Sequence, residues 1–524
     1  MSDSEQLPGD SGRGRLTAES ATVWLIGLTA ILRVAAAAGV GLGVGESYYF
    51  SSALHPSLGY FDQPPLANLL GTLMLRLTGQ VSGLVLRAPF IAVFAGTTWL
   101  MFVLGRRLFG AWAGFWAALL LNLAPVFSVS VGIFFQPEGP LMFFWLATVW
   151  CLIRLLVLEP AVEHPLRWWS AAGAMLGLAM LSKYSASFLA LGTLLFLLMD
   201  PARRRWLTHP GPYLAAAIAA VIFSPVLVWN ARHGWISFLW QGNRGVAYHG
   251  IHLDWLVHNI SGQAMELLPW IWLPLVIELF GLGRGEPSQA GARLLIACLA
   301  APPIALFTAV AAYSNVGNHY HWGTPGYLML LLPLGARVDR WVRSGRVLPR
   351  GLVGAAAALS LAFMVAVTTH AVTGWARNGF GWLSRWLAGG NDFTIDVLDY
   401  TALQDRFREL GLLDRRDLLV FSDKWYLAGK VDYGLKGALP VLALNPGDPR
   451  AYAFFDSPGR WLGKEAVLVT TAAELDDVAR RYGPYCSGLT PMEPVNVTRK
   501  GRVEVTLYLY RCEALIRPFP LPYH

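Results

Sequence analysis

Charged residues are scarce in this chain of 524 residues, since Asp, Glu, Lys and Arg together make up only 14% of it. A typical soluble protein has about 25% charged residues. So few charges could not cover the apolar surface of a chain that is 55% hydrophobic, which argues against an ordinary soluble enzyme. The composition also excludes an intrinsically disordered protein and a coiled coil. A polytopic membrane protein remains.

Cysteine is also rare, with four residues in the chain. Cys151 and Cys298 lie inside apolar runs, where we expect them to pack as small hydrophobic side chains. Cys486 and Cys512 lie near the end of the chain, where an oxidising compartment would permit a disulfide. The sequence leaves that bond open, and the spacing of the cysteines matches no zinc motif.

Long apolar runs recur through the first 372 residues, and a membrane span needs about 20 such residues. Eleven runs are found, at 21–43, 83–104, 111–128, 139–157, 168–182, 184–199, 211–229, 263–283, 293–312, 322–337 and 351–372. The first run follows a polar leader without a cleavage pattern close behind it, which predicts an anchor rather than a removed signal peptide. The predicted fold class is an all-α polytopic membrane protein with about eleven transmembrane helices.

Arginine clusters fall in alternate loops and predict the orientation. By the positive-inside rule the arginine-rich side is cytoplasmic, so the formal net charge of +8 reflects topology. We find no basic soluble face for nucleic acid, and we expect no such partner. The predicted organisation is a cytoplasmic leader at 1–20, a membrane domain at 21–372 and an exported domain at 373–524. The composition, rich in Arg and Ala, favours a bacterial inner membrane protein with a periplasmic C-terminal domain.

The last 150 or so residues differ in composition and predict a small α/β domain. Three short apolar runs at 418–421, 441–444 and 466–469 are typical of buried strands, and 503–510 alternates with period two. An amphipathic stretch at 472–481 follows the third run and predicts a helix.

Two acidic residues mark the first loop on the outer side. Glu46 lies at the end of the first span, and Asp62 precedes the rigid pair Pro64-Pro65. A carboxylate at a membrane boundary is costly unless it faces water or a partner, so both are candidates for a functional site. The alternative is that they are solvated loop acids.

Further polar and aromatic residues gather on the same predicted side of the membrane. A random distribution would place them on both sides, so we take them as candidate substrate-binding residues. They are Tyr48, Tyr49, Gln136, Glu138, Lys183, Tyr184, Arg232, His233, His319 and His321. Two carboxylates and two histidines could hold a divalent metal ion, although no spacing demands one, and no other cofactor is expected.

Seven short motifs occur in a characteristic order, at 46–49, 59–65, 106–110, 137–141, 182–184, 229–235 and 321–327. They include Gly-Tyr-Phe-Asp-x-Pro-Pro at 59–65 and His-Trp-x-x-Pro-Gly-Tyr at 321–327. In this order they resemble the bacterial branch of glycosyltransferase family 39, which includes protein O-mannosyltransferases and is similar to the aminoarabinose transferases of lipid A. Each motif is weak alone, and the ordered set is specific.

The resemblance implies a GT-C membrane fold whose active site lies at the outer leaflet. It further implies a polyprenyl-phosphate sugar as donor, inversion at the anomeric carbon, and a lipid, glycan or protein as acceptor. Such a reaction needs a carboxylate base near the acceptor and a cation near the departing phosphate. Lys183, the first lysine in the chain, is the candidate phosphate partner, with a histidine or Arg232 assisting.

One position departs from the family pattern. The family begins this region with Asp-Glu, and its Asp is thought to be the base, whereas this chain has Gly45-Glu46. The later Pro-Asp is Pro137-Glu138. Glu46 is therefore the first candidate for the base and Asp62 the second, while loss of activity stays open.

Two other classes of function remain as alternatives. A transporter of lipid-linked sugars would show inverted repeats and polar residues at mid-membrane depth. A non-catalytic relative of the family is the third possibility, because Gly45 replaces the family's acidic residue.

Overall fold

Helices form most of the chain, and a single sheet region follows them. The computed structural model describes residues 16–158, 162–244, 250–283, 286–314, 320–377 and 381–523. In these ranges the helices before the sheet are α1 (Ala18–Gly39), α2 (Val44–Leu54), α3 (Leu66–Thr78), α4 (Gly83–Phe109), α5 (Ala111–Leu123), α6 (Glu138–Ile153), α7 (Pro165–Ser182), α8 (Ser187–Met199), α9 (Pro210–Arg232), α10 (Ile236–Arg244), α11 (Leu253–Leu267), α12 (Pro269–Gly281), α13 (Ala290–Tyr313), α14 (Thr324–Arg343), α15 (Val347–Thr373), α16 (Gly381–Trp386) and α17 (Thr401–Glu409).

Each predicted apolar run falls on a helix, which confirms the all-α membrane class, but the number of clear spans is lower than eleven. Within the described ranges, six helical segments are long and apolar enough to cross a bilayer. The pair α11 and α12 would be a seventh, bent by 111° between them. Among the other runs, α5 and α8 are only 13 residues long, and α14 carries charges in its last turns.

Close contacts between small residues hold the membrane helices together. A Cβ on Gly335 of α14 would lie 2.5 Å from the carbonyl oxygen of Ala113 in α5, and one on Gly114 would lie 2.4 Å from that of Phe102 in α4. Such approaches let helix backbones pack tightly where the hydrophobic effect gives no drive. Helix α14 is buried along most of its length and forms the centre of the bundle.

Two short helices, α2 and α3, occupy the loop that the sequence predicted to lie outside. Glu46 accepts a hydrogen bond from the Gly43 amide at 2.8 Å and so caps the start of α2. Pro65 directly precedes α3, where its fixed backbone angle suits the entry to a helix. The segment between them, residues 55–65, contains Asp62.

The C-terminal part is an α/β domain around one sheet, as predicted. Its strands are β1 (Leu419–Ser422), β2 (Val441–Ala443), β3 (Ala466–Thr470), β4 (Leu489–Pro491), β5 (Val495–Arg499) and β6 (Arg502–Cys512), with α18 (Trp425–Gly434) after β1 and α19 (Leu475–Tyr482) after β3. The order is β2-β1-β3-β6-β4, and β5 pairs with β6. β1 is parallel to β2 and β3, while β6 is antiparallel to its neighbours. The sequence missed β4, β5, α17 and α18.

Two of the four cysteines form a disulfide and the other two are buried free thiols, each pair in the part of the chain where the sequence placed it. Cys486 and Cys512 form a disulfide with a Cα–Cα distance of 5.4 Å, which ties the connection before β4 to the end of β6. Cys151 and Cys298 are buried free thiols in the membrane helices. The bond that the sequence left open is therefore present.

The α/β domain is joined to the helical bundle through α2. Helix α18 packs so closely on it that a Cβ on Gly429 would lie 2.7 Å from the Tyr48 backbone nitrogen. The next residue, Lys430, is buried, and its ammonium donates to the carbonyl oxygens of Leu42 at 2.7 Å and Leu398 at 2.5 Å. The turn between α1 and α2 is thereby bound to the last domain.

A buried ion network forms a second junction. Arg499 of β5 donates to Asp392 at 2.7 Å and to Glu504 of β6 at 3.0 Å, and Arg377 also pairs with Glu504. His370, in the last turn of α15, lies 3.4 Å from Asp392. The network connects the end of α15 to the β5–β6 hairpin.

Asp432 of α18 makes the folding stability depend on pH at the junction between α18 and α2. Burial raises the pKa of Asp432 to about 7, and a hydrogen bond from Ser51 of α2 only partly opposes this. The folded protein therefore holds the proton more tightly than the unfolded chain does. This contribution to stability falls as the pH rises from about 4 to about 7.

We predict that Asp432→Asn flattens the pH dependence of thermal unfolding over that range. The amide keeps the shape of the side chain and does not ionise. Asp476→Asn, on the exposed first turn of α19, is the matched control and should follow the unmodified protein. Parallel curves for the protein and Asp432→Asn would contradict the assignment.

Candidate active site

A cavity of about 290 Å³ lies where the start of α8, the end of α10 and the end of α13 meet the loop after α2. One part of its wall is polar and the other is apolar and aromatic. The lining residues are Gln63, Lys183, Tyr184, Ser185, Ser187, Phe188, Gln241, Arg244, Leu306, Phe307, Val310 and Trp322.

Asp62 lies beside this cavity, next to the lining residue Gln63. It is 3% exposed, and its Oδ1 accepts a hydrogen bond from the Tyr48 hydroxyl at 2.9 Å. Gln241 donates to the Asp62 carbonyl oxygen at 2.6 Å and fixes the loop. Burial raises the pKa of Asp62, and the charge of Arg450 and the Tyr48 hydrogen bond oppose that rise.

Arg450 reaches the site from the α/β domain, and no pattern in the sequence indicated it. Its Nη1 is 3.5 Å from Asp62 Oδ2, and its guanidinium lies 3.8 Å from the centroid of the Trp425 ring. The backbone holds a positive φ of 49°, which is unusual for a residue with a side chain. A strained conformation is thus maintained at the point where the domain meets Asp62.

A second charged cluster forms around Glu138, the first residue of α6. Lys183 donates to Glu138 from the break between α7 and α8. His321 Nε2 lies 3.7 Å from Glu138, and its Nδ1 lies 4.0 Å from Glu266 at the end of α11. Burial, with the nearby charge of Lys183, lowers the pKa of His321 to about 4, so its ring is neutral at neutral pH.

Arg244 supplies a cation to the cavity wall. Its guanidinium lies 4.5 Å from the Trp240 ring centroid and 4.7 Å from that of Trp322. Burial, followed by the neighbouring charge of Arg450, lowers the pKa of Arg244 to about 10, which still leaves it charged at neutral pH. The two tryptophans hold the guanidinium by cation–π contacts.

Tyr49 links the two charged groups of the site. Burial raises the pKa of its phenol, and the carboxylates of Asp62 and Glu138 both add to the rise. Its hydroxyl therefore stays protonated and lies within the field of both acids. Gln63, which follows Asp62, and Lys183, which binds Glu138, line the same cavity, and His321 lies beside Glu138. The predicted residues Asp62, Glu138, Lys183 and His321 therefore lie around this cavity.

Glu46, the first predicted base, has a different environment. Its Oε1 accepts hydrogen bonds from Arg87 Nε and the Phe135 amide, both at 2.8 Å. Its Oε2 accepts from the Gly43 amide at 2.8 Å and from Arg87 Nη2 at 2.6 Å. The side chain is 2% exposed, so the hydrogen-bonding positions of Glu46 are already used by the protein. This geometry favours a structural role over that of a base.

Gly45 is exposed in the first turn of α2, and a Cβ at this position would meet nothing within 4 Å. A side chain there is sterically allowed. Close packing therefore does not explain the glycine at this position.

The remaining predicted residues lie apart from the charged groups or only line the cavity. Tyr184 lines the cavity, and its hydroxyl is 2.6 Å from Ser237 Oγ. Gln136 donates to the Ser130 carbonyl at 2.6 Å. His233 stacks on Trp229 with ring centroids 4.2 Å apart, while Arg232 is exposed at the end of α9. His319 lies outside the described residues.

No group of three His, Cys, Asp or Glu side chains in the described part of the chain is placed to hold a metal ion. The residues that sequence reasoning missed at the site are Gln241, Arg244, Glu266 and Arg450. Only Glu266 carried a signal, because it is an acid inside a predicted apolar run, where charges are rare and commonly functional.

Comparisons with known proteins agree with this architecture. The family model described as dolichyl-phosphate-mannose-protein mannosyltransferase matches residues 62–229. Lipid A galacturonosyltransferase RgtD of Rhizobium johnstonii is 24% identical over 290 residues, which are 54% of this chain and 58% of the relative, so less than two thirds of that relative is spanned.

Two solved structures share the fold over almost their whole length. ArnT from Cupriavidus metallidurans bound to undecaprenyl phosphate superposes with a TM-score of 0.63 at 14% identity, covering 93% of this chain and 97% of ArnT. Its apo form gives 0.60 at 16% identity, with 94% and 98% covered. Together the comparisons confirm the resemblance to glycosyltransferase family 39 and the GT-C fold.

The pair formed by Glu46 and Arg87 gives a structural prediction. Arg87→Met leaves a buried carboxylate without its cation, which typically costs about 3–5 kcal/mol. Arg106→Met is the matched control because its pair with Glu19 is exposed and should contribute little. Thermal unfolding in detergent should show a large loss for the first variant alone, and equal losses would contradict a structural role for the pair.

Proposed function

We propose that this protein transfers a sugar from a polyprenyl-phosphate donor to an acceptor hydroxyl or phosphate at the outer face of the bacterial inner membrane. The acceptor is a lipid, a glycan or a protein group. The proposal rests on one cavity that has Asp62 beside it and the cations Lys183 and Arg244 in its wall. Phe188, Phe307 and Trp322 form the aromatic part of that wall. The Cys486–Cys512 bond supports export of the domain that completes this site.

The cavity has the chemistry that such a donor requires. Lys183 and Arg244 lie in its polar wall and supply positive charge for a phosphate. Phe188, Leu306 and Phe307 form apolar wall suited to a prenyl chain. The relative ArnT binds undecaprenyl phosphate in its solved structure, which supports the same class of lipid as donor carrier.

Asp62 is the base in this proposal. It takes the proton from the acceptor hydroxyl as the acceptor oxygen attacks the anomeric carbon from the face opposite the phosphate. The bond between the anomeric carbon and the phosphate oxygen breaks, and the polyprenyl phosphate leaves with the bonding electrons. Lys183 and Arg244 stabilise the negative charge that develops on that oxygen, and a single displacement inverts the anomeric carbon.

The neighbouring residues position these groups. Tyr48 donates to Asp62 Oδ1, and Oδ2, which lies 3.5 Å from Arg450 Nη1, is the oxygen that takes the acceptor proton. Glu138 holds the Lys183 ammonium, and neutral His321 lies between Glu138 and Glu266. The base role predicted first for Glu46 passes to Asp62, because Arg87 and two amides occupy Glu46.

A non-catalytic relative is the second candidate, and the observation that favours it is the open, exposed position of Gly45. Purified protein with radiolabelled lipid-linked sugar and a crude envelope acceptor separates the two. Transfer supports the enzyme, and binding without transfer supports the relative.

We predict that Asp62→Asn lowers sugar transfer while the protein still binds labelled polyprenyl phosphate. The amide keeps the shape of the side chain and an oxygen for the Tyr48 hydrogen bond, but it cannot take the proton from the acceptor. Asp254→Asn, an exposed acid in the first turn of α11, is the control and should retain transfer. Full transfer by Asp62→Asn would remove this residue from the reaction.

Lys183→Ala should instead weaken both the binding of polyprenyl phosphate and the transfer of the sugar. Loss of one electrostatic contact to a developing charge typically costs about 10²–10³ in rate. Lys183→Arg should rescue only partly, because a planar guanidinium does not replace a compact ammonium. Near-normal single-turnover rates for the alanine variant would contradict the contact.

Gly45→Asp tests whether the missing family acid limits activity. The substitution meets no steric obstacle, and an acid in the first turn of α2 suits the helix dipole. If Asp62 is the base, transfer should change little. A large gain in the rate of transfer would show instead that an acidic side chain at position 45 takes part in the reaction.

A further inference from the structure

A second cavity, of about 220 Å³, lies in the half of the bundle away from the active site. Helix α14 starts next to His321, and this cavity contacts only its second half, at Leu334, Val338 and Trp341. The other walls come from α5, α12 and α15. All lining residues are apolar or aromatic except Ser360, whose hydroxyl accepts a hydrogen bond from Trp270 at 2.9 Å.

The cavity exists because α15 packs loosely on the bundle. In its apolar 18-residue stretch only 6% of the residues are buried, against 50% in the corresponding stretches of Gly83–Phe109 and Pro287–Tyr313. Small side chains at Ala356 and Ala357 face the gap, and Leu352 and Val353 continue it toward the start of α15. The apolar lining of the gap suits a hydrocarbon chain.

Arginines are concentrated in the part of the chain that runs from α14 to α15, near the cavity residues Trp341 and Leu352. Arg337 pairs with Glu278, and Arg343 pairs with Asp339 at 2.8 Å. Three more arginines are exposed on the last turns of α14, the connection and the first turn of α15, and they are Arg340, Arg346 and Arg350. Arg350 also donates to the Val342 carbonyl at 2.7 Å, which brings α15 to α14 at this point.

We propose that this cavity is a binding site for one anionic glycerophospholipid. One acyl chain fills the gap between α14 and α15, and the lipid phosphate lies among Arg340, Arg346 and Arg350. Basic pockets between membrane helices recognise anionic head groups in this way. The bound lipid supplies the packing that α15 lacks. The proposal does not depend on the proposed reaction, because the site is separate from Lys183 and Asp62.

Lipid binding to purified protein in detergent tests this directly. Native mass spectrometry and thermal unfolding would compare phosphatidylglycerol with phosphatidylcholine. We expect one phosphatidylglycerol to be retained and to raise the unfolding temperature, with phosphatidylcholine bound more weakly. Ala356→Phe should abolish both effects by filling the cavity, whereas Ala355→Phe, on the exposed face of the same helix, should keep them.

Charge removal gives an independent variant in case the larger side chain disturbs folding. Arg340→Gln with Arg346→Gln should weaken phosphatidylglycerol binding about tenfold or more. Arg107→Gln with Arg203→Gln removes the same charge elsewhere and should not. Equal binding of both lipids, or unchanged binding in Ala356→Phe, would overturn the proposal. Displacement of the lipid by undecaprenyl phosphate would also overturn it, by showing that a prenyl chain occupies the cavity.

Discussion

The buried ion pair between Glu46 and Arg87 determines how the rest of the structure can be arranged. Arg87 also donates to the carbonyl oxygens of Ala37 at 3.0 Å and Gly41 at 2.7 Å, and so closes the turn between α1 and α2. Lys430 binds the same turn from the other domain. A charge removed from water in this way is stable only when its hydrogen bonds are complete, and here they are.

Fixing that turn sets the direction of α2 and therefore the composition of the site. Tyr48 follows Glu46 on α2 and donates to Asp62, and Tyr49 packs against the rings of Tyr48 and Phe135. The α/β domain packs on the same helix and brings Arg450 to Asp62. The candidate active site is thus shared between the helical bundle and the last domain, and neither part contains all of it.

The sequence predicted the fold class and several site residues, each for a physical reason. Apolar runs identify helices because the bilayer demands them, and Glu138 and Lys183 stand out as charges at the ends of such runs. Asp62 stands out as an acid in the loop before Pro64-Pro65. The sequence overcounted clear spans because it counted short apolar runs such as 184–199, and because hydropathy does not show that α5 ends before Pro125. It could not find Arg450, since only tertiary packing places that residue near Asp62. For the same reason Glu46 resembled a base until its pairing with Arg87 was visible.

The most direct test of the account is a structure of the protein with a polyprenyl-phosphate sugar analogue that cannot be cleaved. The phosphate should lie within hydrogen-bond distance of Lys183 or Arg244, with the prenyl chain along Phe188 and Phe307 and the anomeric carbon facing Asp62. A phosphate bound elsewhere, or a sugar directed away from Asp62 with Glu46 released from Arg87, would contradict it.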